Sequence, residues 1–118
     1  MEEISRTWLD SLVNQNLVEK EEAFNLKDGI GHVYIYRDCK PNDPRAHESG
    51  NILLEKGSSI GMHKHFRDTE TYTVLLGAVE INGKLYYAGE SATCYSGESH
   101  NAINQNDGDS IMEFSKFM

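Results

Sequence analysis

Only five histidines occur in the chain, and two of them stand two residues apart in the segment GMHKHFRDTE. On a strand, side chains at i and i+2 project to the same face. His63 and His65 would therefore send both imidazoles into one space while Lys64 points the other way. Glu70 follows after a short polar stretch, Phe66 to Thr69, suited to turning the chain onto a neighbouring strand. Imidazoles joined by a carboxylate are a common ligand set for divalent transition metals, so the chemistry on offer is metal binding. A lone HxH pair carries little weight, because such pairs also occur on ordinary solvated strands.

The elements that must position these groups are short. Ile4, Trp8, Leu12 and Val13 recur at helical spacing, with Leu9 and Leu17 widening the stripe, which predicts a helix within the first 18 residues. Its apolar face is expected to pack on the outside of the main body or on a partner subunit. Residues 26–31 read as a break around Asp28-Gly29. Beyond it, apolar-rich stretches alternate with turn residues. The expected strands are 32–38, 51–57, 61–65, 71–77, 78–81, 84–88, 91–95, 100–104 and 110–117, with a loop over 39–49. Asn82-Gly83 is a strong two-residue hairpin signal. Many short strands with frequent turns imply a sandwich or barrel, and no internal repeat or linker is evident.

The wider spacing is more specific than the HxH pair. Gly57, His63, His65, Glu70 and Gly77 fit the pattern G(X)5HXH(X)4E(X)6G, and Gly89, Gly97, His100 and Asn104 fit G(X)5PXG(X)2H(X)3N. Nine of ten fixed positions agree, the exception being Tyr95 where the second pattern has proline. In these two motifs the chain resembles the cupin superfamily, in its small single-domain form. The resemblance implies an all-β fold, a double-stranded β-helix (jelly-roll) barrel over residues 29–118, preceded by a short helical segment over 1–28. It makes His63, His65, Glu70 and His100 the ligands of one divalent transition metal ion. Asn104 is read as structural and not as a ligand.

Three neutral imidazoles and one carboxylate would leave a divalent ion with a local charge of about +1, and an octahedral ion would keep two open positions. Manganese, iron, nickel or cobalt suits that arrangement; zinc would be nearly closed. Such an ion can polarise a carbonyl, stabilise an enolate or acidify a bound water. Tyr72 should share the inward face of Glu70 and is the candidate catalytic residue, a wall position being the plainer reading. Tyr34 and Tyr36 alternate with Val33 and Ile35, and one of the two sets should face the interior. His32 would share the face of the two tyrosines, and His47 sits in a polar loop. Lys64 should point outward, whereas Arg67 lies at the expected mouth and could attract an anion. The resemblance leads to a metal-dependent enzyme of dioxygenase, isomerase, lyase or decarboxylase type on a small oxygenated or anionic substrate. A binding or sensing module without turnover is the alternative. Oxalate decarboxylase-like activity is disfavoured here, because such proteins usually carry two cupin domains.

Length and charge narrow the partners. At 118 residues there is room for one domain, and a chain of this size buries roughly two-thirds of its unfolded surface. With 19 acidic against 11 basic residues the formal charge is −8, which argues against nucleic acid and anionic membrane surfaces. No apolar run approaches the roughly 18 residues of a membrane span, and MEEISRTWLD lacks the basic start of a signal peptide. A cytoplasmic protein is expected, with Cys39 and Cys94 as free thiols, one disulfide between them being left open. A homodimer is expected from the Trp8 helix, the barrel edges and the habit of the family.

Overall fold

The computed structural model describes residues 3–23 and 28–118, so the start of the break predicted over 26–31 lies outside the described residues. The first element is α1 (Arg6–Asn14), which begins where the Ser5 side chain accepts from the Trp8 N–H at 3.2 Å, a cap worth about 1 kcal/mol. It ends at Asn14, and Asn16, with φ 59°, turns the chain away two residues later, so the helix is shorter than the first 18 residues suggest. Val18 already opens a strand.

Ten strands follow among the described residues. They are β1 (Val18–Glu22), β2 (Val33–Asp38), β3 (Glu48–Leu54), β4 (Ser59–Lys64), β5 (Thr69–Leu76), β6 (Ala78–Ile81), β7 (Lys84–Tyr87), β8 (Ser91–Cys94), β9 (Ser99–Asn104) and β10 (Ser110–Phe117). They form a six-stranded sheet in the order β1-β2-β3-β10-β5-β8 and a four-stranded sheet in the order β4-β9-β6-β7. Every pairing between them is antiparallel. The non-sequential neighbours are those of a double-stranded β-helix.

Strand β1 is the element that the sequence does not announce. Only Val18 of its five residues is buried, and the rest are charged and exposed. It is held by its backbone ladder to β2, from Val18 opposite Asp38 to Glu22 opposite Tyr34. Charged residues on such an edge also discourage pairing with another chain.

The six-stranded sheet is buried on both faces. Val33, Ile35, Ile52, Val74, Met112 and Phe114 point into the barrel core. Tyr36, Leu53 and Ile111 point the other way, under Leu9, Trp8, Leu12 and Val13 of α1. The helix thus packs on the outside of its own barrel. Fully burying Leu9 contributes about 1.5–3 kcal/mol. The Tyr36 hydroxyl donates to Asp10 Oδ1 at 3.0 Å, and Arg6 pairs with Glu55 at 2.7 Å, fixing the helix at its first residue and its middle.

Candidate metal centre

Residues on the cavity face of the large sheet fall into rows set by strand register. Arg37, Gly50, Phe114, Tyr72 and Ala92 lie opposite one another across β2, β3, β10, β5 and β8. The next row is Glu48, Lys116, Glu70 and Cys94. Partners in an antiparallel ladder share a face, so both rows look inward. Gly50 is needed because a Cβ there would collide with the Tyr36 carbonyl oxygen.

The small sheet supplies the histidines. His63 on β4 lies opposite His100 on β9, after a bulge between Ile60 and His63. His65 follows directly, its carbonyl accepting from Gly97 N–H at 2.8 Å. The ligand atoms of His63, His65, Glu70 and His100 all lie within 4.8 Å of one another. The Nε2 atoms of His65 and His100 stand 3.2 and 3.3 Å from Glu70 Oε1. Donors about 2.0–2.2 Å from one ion lie roughly 3 Å apart when adjacent and a little over 4 Å when opposite. A divalent ion therefore fits this set after a contraction of a few tenths of an ångström.

The protonation states favour the same use. His63 Nδ1–H donates to the Gly61 carbonyl at 2.8 Å, which leaves Nε2 unprotonated in the neutral ring, the usual orienting contact of a metal-bound histidine. Burial holds His63 below its ordinary value, so it presents the neutral form that metal binding requires. Burial pushes the Glu70 carboxyl up, but hydrogen bonds from His100 and Tyr72 and the Lys116 charge outweigh it and leave it below the ordinary range. His65 Nε2 and His100 Nδ1 are buried with no hydrogen-bond partner. Unpartnered buried nitrogens are costly, and for His65 an ion between it and Glu70 would remove the cost.

Tyr72 donates to Glu70 Oε1 at 2.5 Å and stands 3.2 Å from His100 Nε2. Burial, then the Glu70 charge, raise its hydroxyl well above the ordinary tyrosine value, so it holds its proton at neutral pH. A cavity of about 170 Å³ opens over the cluster, lined by His63, His65, Glu70 and Tyr72, by apolar Ile35, Ile52, Ile60 and Phe114, and by Arg37, Glu48 and Lys116. His100, 1% exposed, does not reach its surface.

Several other residues take different places. Val33 and Ile35 face the interior, and Tyr34 and Tyr36 pack under α1. His32 lies beside Tyr34 and pairs with Glu55. His47 is exposed and donates to Asp68 at 2.7 Å. Lys64 and Arg67 are both exposed and neither lines the cavity. The cavity cations are Arg37 and Lys116, which the sequence reading missed. Their signal, inward parity with Ile35 and Phe114, is ambiguous because β2 and β10 are apolar on both faces.

The chain fits known folds closely. It aligns with an RmlC-like cupin from Shewanella frigidimarina at TM-score 0.62 and 21% identity, over 85% of each chain. A Thermotoga maritima protein described as a predicted oxalate decarboxylase aligns at TM-score 0.74 and 28% identity, over 87% of this chain and 95% of that one. An oxalate-binding protein of Thermotoga maritima is 31% identical over 111 residues, 87% of this chain and 88% of that protein. The chain belongs to the cupin superfamily. No protein-family model matches it.

This cupin keeps its second-motif turn without the usual proline. Tyr95 N–H donates to Glu98 Oε1 at 2.8 Å, Glu98 N–H returns to the Tyr95 carbonyl at 3.1 Å, and Gly97 has φ 82°. The same four-residue arrangement recurs at Tyr87 to Glu90, with Gly89 at φ 92°. A glycine third in the turn supplies the positive φ, and the glutamate occupies the N–H that a proline would lack.

Proposed function

We propose that the chain is a metal-dependent cupin acting on a small carboxylate, with oxalate the first candidate. His63, His65, Glu70 and His100 hold one divalent ion (manganese, iron, nickel, cobalt or zinc), and the ligand takes its open positions. The observation that carries this reading is the convergence of four donor atoms within 4.8 Å at a cavity of about 170 Å³. That volume is close to the roughly 150 Å³ of an engineered cavity that accepts benzene, so it suits a small molecule. The ion would polarise the ligand's oxygens. Both Thermotoga relatives are associated with oxalate, and the one described as a predicted oxalate decarboxylase is itself of single-domain length. A decarboxylase reading of a single cupin domain thus has a parallel in that relative's description.

Tyr72 supports turnover, of lyase, decarboxylase, dioxygenase or isomerase type, over binding alone. Its retained proton sits among the ligand side chains, where it serves as a donor and not as a base. The deciding experiment is elemental analysis of the native protein and of His63→Ala and His100→Ala, followed by oxalate titration and assay of formate and carbon dioxide. About one ion per chain, lost in both variants, supports the metal site. Product formation that disappears in Tyr72→Phe with metal retained supports an enzyme. Oxalate binding without product supports the non-catalytic alternative.

A homodimer and a cytoplasmic location complete the reading. Exposed Leu85 and Tyr87 on edge strand β7 support the first, to be tested by light scattering. Free Cys39 and Cys94 support the second. Among the described residues no helix is long and apolar enough to cross a membrane.

A further inference from the structure

We propose that Lys116, braced by Glu48 and assisted by Arg37, is a second anchor of the cavity and selects a ligand with two anionic groups. This rests on the metal-chelate reading above and names the class of ligand within it.

The placement follows from register. Lys116 lies directly opposite Glu48 on one side and Glu70 on the other. Cβ atoms of directly opposed residues are roughly 4.5–5.5 Å apart. The lysine side chain therefore starts one strand from a metal ligand, on the same face of the sheet. It lines the cavity, its side chain is 16% exposed, and its Nζ passes 5.8 Å from the centre of the Phe114 ring.

The local charge is incompletely matched. Glu48 Oε1 is 3.3 Å from Lys116 Nζ and 3.1 Å from Arg37 Nε, so one carboxylate serves two cations. Arg37 has a second partner, Glu21, at 2.6 Å. Among the described residues Glu48 is the one carboxylate within ion-pair distance of Lys116. A charge-assisted N–H···O bond is normally about 2.7–2.9 Å long, so the Lys116 contact is loose. A lysine side chain only 16% exposed, with a loose and shared partner, leaves its charge poorly matched, and a ligand anion in the cavity would match it.

The sum of charges gives the ligand class. A divalent ion with Glu70 carries about +1, and Lys116 and Arg37 with Glu48 carry another +1. Glu21, 57% exposed, lies on the solvent side. A dianion balances both halves, whereas a monoanion balances one. With the apolar wall of Ile35, Ile52 and Phe114 and a volume of about 170 Å³, the fit is a short diacid of about two to four carbons.

The test is calorimetric titration of the metal-loaded full chain with oxalate, malonate and acetate, in the native protein, Lys116→Gln and Lys116→Arg. Metal stoichiometry and melting temperature, measured alongside, establish that each variant is folded and loaded. The expected result is a loss of roughly tenfold to a hundredfold in oxalate and malonate affinity for Lys116→Gln. Acetate should change less than about twofold, and Lys116→Arg should restore most of the loss. Undiminished diacid affinity in Lys116→Gln overturns the role of Lys116 while leaving the metal reading intact. An equal loss for acetate overturns selection of a second anionic group. Native protein that loads metal yet binds none of the three acids defeats the chelate reading, and this proposal with it.

Discussion

Two buried polar groups sit at the two ends of strand β9, and they are built on opposite principles. At its C-terminal end Asn104 is completely used. Its Nδ2 faces the carbonyls of Leu54, Glu55 and Gly108 at 2.9, 3.0 and 2.8 Å, and its Oδ1 accepts from Asn106 N–H and the Ser110 hydroxyl. At the N-terminal end His100 leaves Nδ1 without a partner, as His65 leaves Nε2, while three groups crowd one oxygen of Glu70. The first cluster closes on itself and ties together the chain between β3 and β4 and the chain between β9 and β10. The second is incomplete as protein alone. Asn104 and His100 are both buried, so completeness of hydrogen bonding is what separates the structural hub from the candidate site.

Breaking the hub should have the largest effect on the fold. Asn104→Ala strands the buried Leu54 carbonyl and the part-buried carbonyls of Glu55 and Gly108. It also removes an acceptor of the Ser110 hydroxyl and the Asn106 N–H, and each buried group left unpaired costs about 1–3 kcal/mol. A loss of roughly 3–5 kcal/mol in denaturant unfolding is expected, with the folded fraction still taking up metal. A variant that loses metal but little stability would place Asn104 in the wrong cluster.

Breaking the site should give the reverse pattern. Metal at one hundred times its dissociation constant stabilises the native protein by about 2.7 kcal/mol. In His63→Ala that increment should vanish, while the metal-free melting temperature stays close to the native one. If both proteins gain equally on adding metal, the ion binds elsewhere.

Tyr72→Phe sharpens the comparison at a single atom. It removes the donor to Glu70 without touching a ligand, so metal content should hold and stability should change by about 1 kcal/mol. Turnover of oxalate, where present, should fall at least tenfold, read as product per metal ion.

The smallest effect concerns the outer face, where Tyr36 donates to Asp10. Burial, reinforced by that hydrogen bond, raises its hydroxyl above the ordinary value near 10. A raised value means that the folded state holds the proton longer than the unfolded chain. The contribution is complete below pH 10 and is lost as pH rises beyond it. Tyr36→Phe should therefore lose stability less steeply between pH 10 and 11 than the native protein, while Tyr72 keeps part of the slope.

The motifs made the barrel, the convergence of His63, His65, Glu70 and His100 and most strands readable, because fixed spacing and two-residue alternation encode which residues share a face. Gly57, Gly77, Gly89 and Gly97 all have positive φ. Their backbone requirement is local, and the sequence shows it. At Gly77 a side chain would also strike the Ser110 hydroxyl. Strand β1 was not readable, since Glu19 to Glu22 are exposed and are placed by backbone pairing to a strand more than ten residues away, with exposed ion pairs such as Glu21–Arg37 beside it. Nor was the cavity's charge. The sequence pointed to Arg67, near the motif, whereas Arg37 and Lys116 arrive from the two ends of the barrel segment.

What the sequence alone determined is therefore the class of fold and the set of candidate donor residues, both carried by the short-range spacing of the two motifs. The tertiary structure decided which face of β2 and β10 looks inward, because a sheet covered by α1 on one side and filled on the other is apolar on both. It also decided the different standing of His100 and Asn104, two residues of one motif. Whether a buried polar atom is satisfied depends on carbonyls brought from β3 and from the turn before β10, and no spacing along β9 records them.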